Sequence, residues 1–169
     1  MKKFLLILIG LVILLALGVT GAGMTSESIE YENRVLIDAS PEEIWARFID
    51  TDGMPEWMGD LDSVENISGA PLEVGSSWTL VYGNDELLET VTAAEPGKLY
   101  AFDMQTDGFV GQAVVRLEPK DGGTELISTT KVVAHNAFKR GLFVAMKGSF
   151  ADRTQAQYER LKDVIENPG

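Results

Sequence analysis

The chain has 169 residues, no cysteine and a formal net charge of −12, with 14 basic against 26 acidic side chains. That length suits one compact domain. Such acidity excludes a nucleic-acid partner, whose binding rests on basic residues displacing counterions. The lack of cysteine excludes disulfides, a thiol nucleophile, a thiolate metal site and a lipidated cysteine.

Residues 1–24 form the first unit. Behind Met1-Lys2-Lys3 the chain is uncharged from Phe4 to Met24. As a helix this run measures roughly 31 Å at about 1.5 Å per residue, close to the thickness of a bilayer's hydrocarbon core. The two lysines favour a cytoplasmic N-terminus with the rest of the chain exported. A cleaved signal peptide is the other reading, since Ala16-Leu17-Gly18 and Thr20-Gly21-Ala22 place small residues at peptidase spacing. Two features favour an uncleaved anchor: the run exceeds an h-region of about 7–15 residues, and neither site is A-x-A. Residues 25–33 are polar and acidic, and read as a spacer.

From residue 34 to 169 the chain reads as one domain. Arg34–Asp38 is β-branched and short, a strand. Ser40-Pro41-Glu42-Glu43 is a helix start, with Ser at N-cap, Pro at N1 and Glu43 closing a capping box. That helix turns Ile44, Trp45 and Phe48 inward, and a short helical piece follows at Met54–Met58. Six β-rich segments come next, at about 61–67, 75–83, 87–95, 98–106, 109–118 and 124–134. Turn residues separate them at Gly69-Ala70-Pro71, Gly83-Asn84-Asp85, Glu95-Pro96-Gly97, Asp107-Gly108 and Asp121-Gly122-Gly123, so the segments form an antiparallel meander. Over 136–166 the period changes. Phe138, Leu142, Met146, Phe150, Tyr158, Leu161 and Ile165 recur at three- and four-residue steps, the pattern of a long amphipathic helix. Only this helix is long enough to cover the apolar face of the sheet.

This order of elements resembles the SRPBCC superfamily, the START-like or helix-grip fold that includes polyketide cyclases, plant lipid and steroid binders and lipid-transfer domains. The residues that carry the likeness are Val35–Asp50, which looks like the opening strand and helix; Trp57 within Met54–Met58; and Val115–Leu126, which looks like the penultimate hairpin. With the last helix they cover 34–166. The resemblance implies an α+β fold, a curved antiparallel sheet wrapped on a long C-terminal helix. It also implies an elongated apolar cavity between them for a lipid or other hydrophobic small molecule, with no cofactor. Members with a membrane helix ahead of the domain also occur.

Period-two alternation places Trp78, Leu80 and Tyr82 on one face of their strand, and Tyr100, Phe102 and Met104 on one face of theirs. With Trp57, Met146 and Phe150 these are the candidate ligand contacts, although a domain of this size needs such residues simply to fill its core. The single histidine, His135, sits where the last strand meets the long helix and has no visible orienting partner, so it reads as a helix-start residue. Glu89, Asp103 and Arg116 alternate with apolar neighbours and read as a solvated outer face. No nucleophile elbow, zinc-binding helix, P-loop or dinucleotide fingerprint occurs, and no residue is assigned as catalytic or metal-binding. Lys139, Arg140, Lys147 and Arg153 make the last helix the one basic region, either balancing acidic strands or facing lipid headgroups. Asn66-Ile67-Ser68 fits a glycosylation sequon. Three readings follow: an exported, membrane-tethered binder of a hydrophobic ligand, a cyclase- or dehydratase-like enzyme, and an interaction module without a ligand.

Overall fold

Short turns and alternating strands leave the middle of this chain little choice but a meander, and the computed structural model shows one. It describes residues 2–70 and 72–168, with the side chains of residues 7–168 apart from Asn66. Pro71, the sequon at Asn66 and the side chains of residues 4–6 lie outside the described residues. The elements are α1 (Lys2–Thr25), β1 (Ile29–Ile37), α2 (Pro41–Phe48), α3 (Met54–Trp57), β2 (Ser63–Ser68), β3 (Ser77–Tyr82), β4 (Asp85–Glu95), β5 (Leu99–Gln105), β6 (Phe109–Lys120), β7 (Gly123–Ala134) and α4 (Ala137–Glu166). All seven strands join in one antiparallel sheet, ordered β1-β7-β6-β5-β4-β3-β2. Bulges between Val91 and Ala93 and between Glu65 and Ser68 bend the strands, as an inserted residue does. This is the helix-grip architecture expected from the sequence.

One boundary differs. The first strand begins at Ile29, not Arg34, and Ile29–Asn33 pair with Ser128–Val132. These residues look like a spacer because Glu30 and Glu32 alternate with them. The acids face out while Ile29 and Asn33 are buried, the period-two pattern of a half-buried strand.

The capping box forms as expected. The Glu43 backbone N–H donates to Ser40 Oγ at 3.3 Å, and Glu43 Oε2 accepts from the Ser40 N–H at 2.8 Å. Ser40→Ala is expected to cost about 1 kcal/mol, read as a lower denaturation midpoint with an unchanged m-value. Within the core, Phe48 stacks on Trp57 at 5.4 Å, and Tyr100 meets Trp45, Phe48, Trp78 and Phe102 at 5.3–6.4 Å.

Hydrogen bonds clamp the second half of α4 to the sheet. Asn33 donates to the Ala151 carbonyl and to Gln155 Oε1, Gln155 donates to the Arg34 carbonyl, and Tyr158 donates to Ser128 Oγ. Leu161 is fully buried beside them. The first half packs on the sheet through the aromatic chain Phe109–Phe143–Phe150.

Candidate functional site

The register decides which side chains meet under α4. Tyr82 and Asp85 flank a two-residue turn in which Gly83 takes φ 63°, the backbone that a II′-type hairpin needs at its first central position. Counting back from that turn pairs Trp78 with Glu89. Further pairing aligns Glu89 with Met104, Met104 with Gly111 and Gly111 with Val132. Directly paired residues share a face. Glu89 therefore points inward, and it is only 7% exposed.

This overturns the outward reading of Glu89. The carboxylate accepts a hydrogen bond from Trp78 Nε1 at 2.9 Å, and no cation is within salt-bridge distance of it among the described residues. Burial pushes its carboxyl up to about 7, with the Trp78 N–H pulling the other way. Burial also raises the hydroxyls of Tyr82, Tyr100 and Tyr158, and the charge of Glu89 adds to each. Tyr100 Oη is buried and without a hydrogen-bond partner. The hairpin turn was the signal in the sequence that would have placed Glu89 inside.

The other candidates are as expected. Asp103 and Arg116 are exposed, Asp103 accepting from Gln112 Nε2 at 3.1 Å. His135 is exposed, with Nδ1 3.1 Å from the Asp107 carbonyl oxygen.

An open cleft of about 1230 Å³ lies between α4 and the tips of the β3–β4 and β5–β6 hairpins. One wall is α4, through Phe150, Arg153, Thr154 and Gln157. The other is the inner face and tips of the hairpins, through Tyr31, Tyr82, Leu87 and the turns at Gly83–Asp85 and Asp107–Gly108. Arg153 sits over the Tyr82 ring at 5.9 Å and lies 3.5 Å from Asp60, whose φ of 67° shapes the loop at the rim. The lining is mixed, with Tyr31, Tyr82, Leu87, Phe109 and Phe150 beside the charged Asp60, Asp85, Glu86, Lys139 and Arg153.

Of the nine candidate contacts, Tyr82 and Phe150 line this cleft. Trp57, Trp78, Leu80, Tyr100 and Phe102 lie deeper, in the closed core, at 1–8% exposure. Met104 is partly buried against that core. Met146 points outward and is 41% exposed. The reason is helical geometry: a four-residue step overshoots a turn by roughly 40°, so Phe138–Leu142–Met146–Phe150 precesses around α4 instead of staying in line with Tyr158 and Leu161.

The chain matches the family model described as polyketide cyclase / dehydrase and lipid transport over residues 28–166. Solved structures share the fold at low identity. The crystal structure of Ara h 8.0201 is 12% identical, with a TM-score of 0.64 over 82% of this chain and 98% of that one. A protein from Rhodobacter sphaeroides is 21% identical, with a TM-score of 0.62 over 81% and 91%. The di-domain ARO/CYC StfQ from the steffimycin biosynthetic pathway is 8% identical, with a TM-score of 0.66 over 82% of this chain and 51% of that one. No curated protein sequence matches the chain.

Proposed function

The chain belongs to the polyketide cyclase/dehydrase and lipid transport family, and from that premise we propose that it binds a lipid or similar hydrophobic small molecule in the cleft beside α4. The cleft itself carries this reading. A concave site with apolar and aromatic walls and a few polar groups at one end is the usual form of a small-molecule site. Tyr82, Leu87 and Phe150 would hold the apolar body, while Arg153, Gln157 and Thr154 would meet a polar head. The domain is tethered by α1, whose residues Ile7–Thr25 are long and apolar enough to cross a membrane. Lys2 and Lys3 favour a cytoplasmic N-terminus and an exported domain.

The full chain, purified in mild detergent and extracted with organic solvent, is expected to release one apolar compound at about one equivalent. Phe150→Ala removes ring area worth about 1.5–3 kcal/mol when buried, so the variant should retain about 10- to 100-fold less. Equal amounts of the same bulk membrane lipids from both proteins would contradict the binder reading.

A specific observation supports a second reading, acid–base catalysis of the cyclase kind. Glu89 lies between Leu87 and Val91 on the inner face of β4, one step along that face from the cleft wall at Leu87, with a carboxyl poised near neutral pH. A general acid or base works best when its pKa lies near the working pH. Glu89→Gln separates the two readings: a binder keeps its extracted compound unchanged, whereas an enzyme accumulates a different one.

A further inference from the structure

Helix α1 meets the domain at the start of α4. A Cβ added at Gly23 would overlap the Ala137 carbonyl, and one added at Gly141 would overlap the Val19 carbonyl. Two glycines thus let the last turns of α1 lie directly on the first turns of α4, as small residues do where helices cross closely. Beside this contact α4 carries an apolar stripe that no element covers among the described residues. Phe138, Leu142 and Met146 are 49%, 40% and 41% exposed. Lys139 borders the stripe, three residues before Leu142 and seven before Met146 on the same side of the helix. The cleft opens at the same end of the sheet: Lys139 and the Asp107–Gly108 turn both line it, and the His135 N–H donates to the Gly108 carbonyl.

We propose that the first three turns of α4 form a bilayer-docking surface, with Phe138, Leu142 and Met146 seated at the headgroup–acyl boundary of the leaflet from which α1 emerges. Lys139 at the edge of the stripe then faces anionic headgroups, as a basic residue bordering an interfacial apolar face does. The mouth of the cleft is held at the membrane surface, so a hydrophobic ligand passes between bilayer and cleft without crossing open water. A bilayer is the occupant because the stripe adjoins the membrane helix at the Gly23–Ala137 and Val19–Gly141 contacts and because Lys139 borders it. The proposal rests on the reading of α1 as an anchor.

The absence of cysteine makes single labelling unambiguous. Leu142→Cys, Met146→Cys, Leu11→Cys within α1, and Val74→Cys on the exposed β2–β3 loop each receive an environment-sensitive nitrobenzoxadiazole label. The full chain is then reconstituted into phosphatidylcholine–phosphatidylglycerol vesicles carrying a lipid-borne nitroxide quencher. Positions 11, 142 and 146 are expected to be blue-shifted and quenched, and position 74 neither. Lys139→Glu is expected to weaken quenching at 142 severalfold while leaving position 11 unchanged. Quenching at 11 with 142 and 146 behaving like 74 would overturn the docking surface and leave the anchor standing. Labels at 142 and 146 that are shielded but not quenched would overturn it in favour of a second copy or a protein partner. No quenching at 11 would overturn the anchor reading, and the docking surface with it.

Discussion

Wild-type protein is expected to lose about 3 kcal/mol of stability as pH rises from 5 to 9, and Glu89→Gln to remove most of that loss. The Glu89 carboxyl is raised from 4.5 to about 7 in the folded state by burial. Over the interval between those values the folded protein holds a proton that the unfolded chain has released, so stability falls with rising pH. The contribution is complete below about pH 4.5 and is lost as pH passes through about 7, and 2.5 units at about 1.4 kcal/mol each give the expected size. Glutamine keeps an acceptor for the Trp78 N–H and cannot ionise. Denaturant titrations of both proteins at several pH values measure the difference. Parallel pH profiles would show that Glu89 ionises freely in the folded state, and the buried-acid account would fail.

Trp78→Ala carries the other large effect, a loss of about 4 kcal/mol. The indole is 5% exposed, lies parallel to Tyr100 at 6.4 Å and supplies the hydrogen bond that Glu89 accepts. Truncating a buried Trp costs about 3–5 kcal/mol through lost transfer energy and the cavity left behind. The pair also couples. A hydrogen bond to a charged group is worth about 1.5–3 kcal/mol and one to a neutral acceptor about 1 kcal/mol, so at pH 9 the loss should be smaller by about 0.5–2 kcal/mol in a Glu89→Gln background. At pH 5, where Glu89 is protonated in the folded protein, the coupling should shrink toward zero. Additive losses at both pH values would contradict the contact.

Much of the fold was legible because its signals are local. Ser40-Pro41-Glu42-Glu43 contains a whole helix start, and Gly83-Asn84 a whole hairpin turn, so the strands around them follow. The start of β1 was hidden because Glu30 and Glu32 give Ile29–Asn33 the composition of a linker, and only pairing with β7 shows the alternation to be a strand. The site was harder because a side chain's direction depends on long-range register. An acid between apolar neighbours looks solvated, and Glu89 is inward only because the hairpin sets it opposite Trp78. On α4, recurrence at four-residue steps suggested one stripe. Its slow rotation instead carries Phe138, Leu142 and Met146 outward, while Phe143, Phe150, Tyr158 and Leu161 stay on the sheet side.

The central claim is that this cleft holds a ligand, and native mass spectrometry of the full chain released from detergent tests it most directly. Wild type is measured beside Thr154→Trp, which places an indole between the α4 wall and Tyr31, where Thr154 Oγ1 now lies 3.4 Å from the Tyr31 hydroxyl. The account predicts that wild type flies with one bound mass of a hydrophobic compound, and that the variant, equally folded, flies without it. An identical adduct on both proteins, or none on wild type purified from its own membranes, would contradict the account.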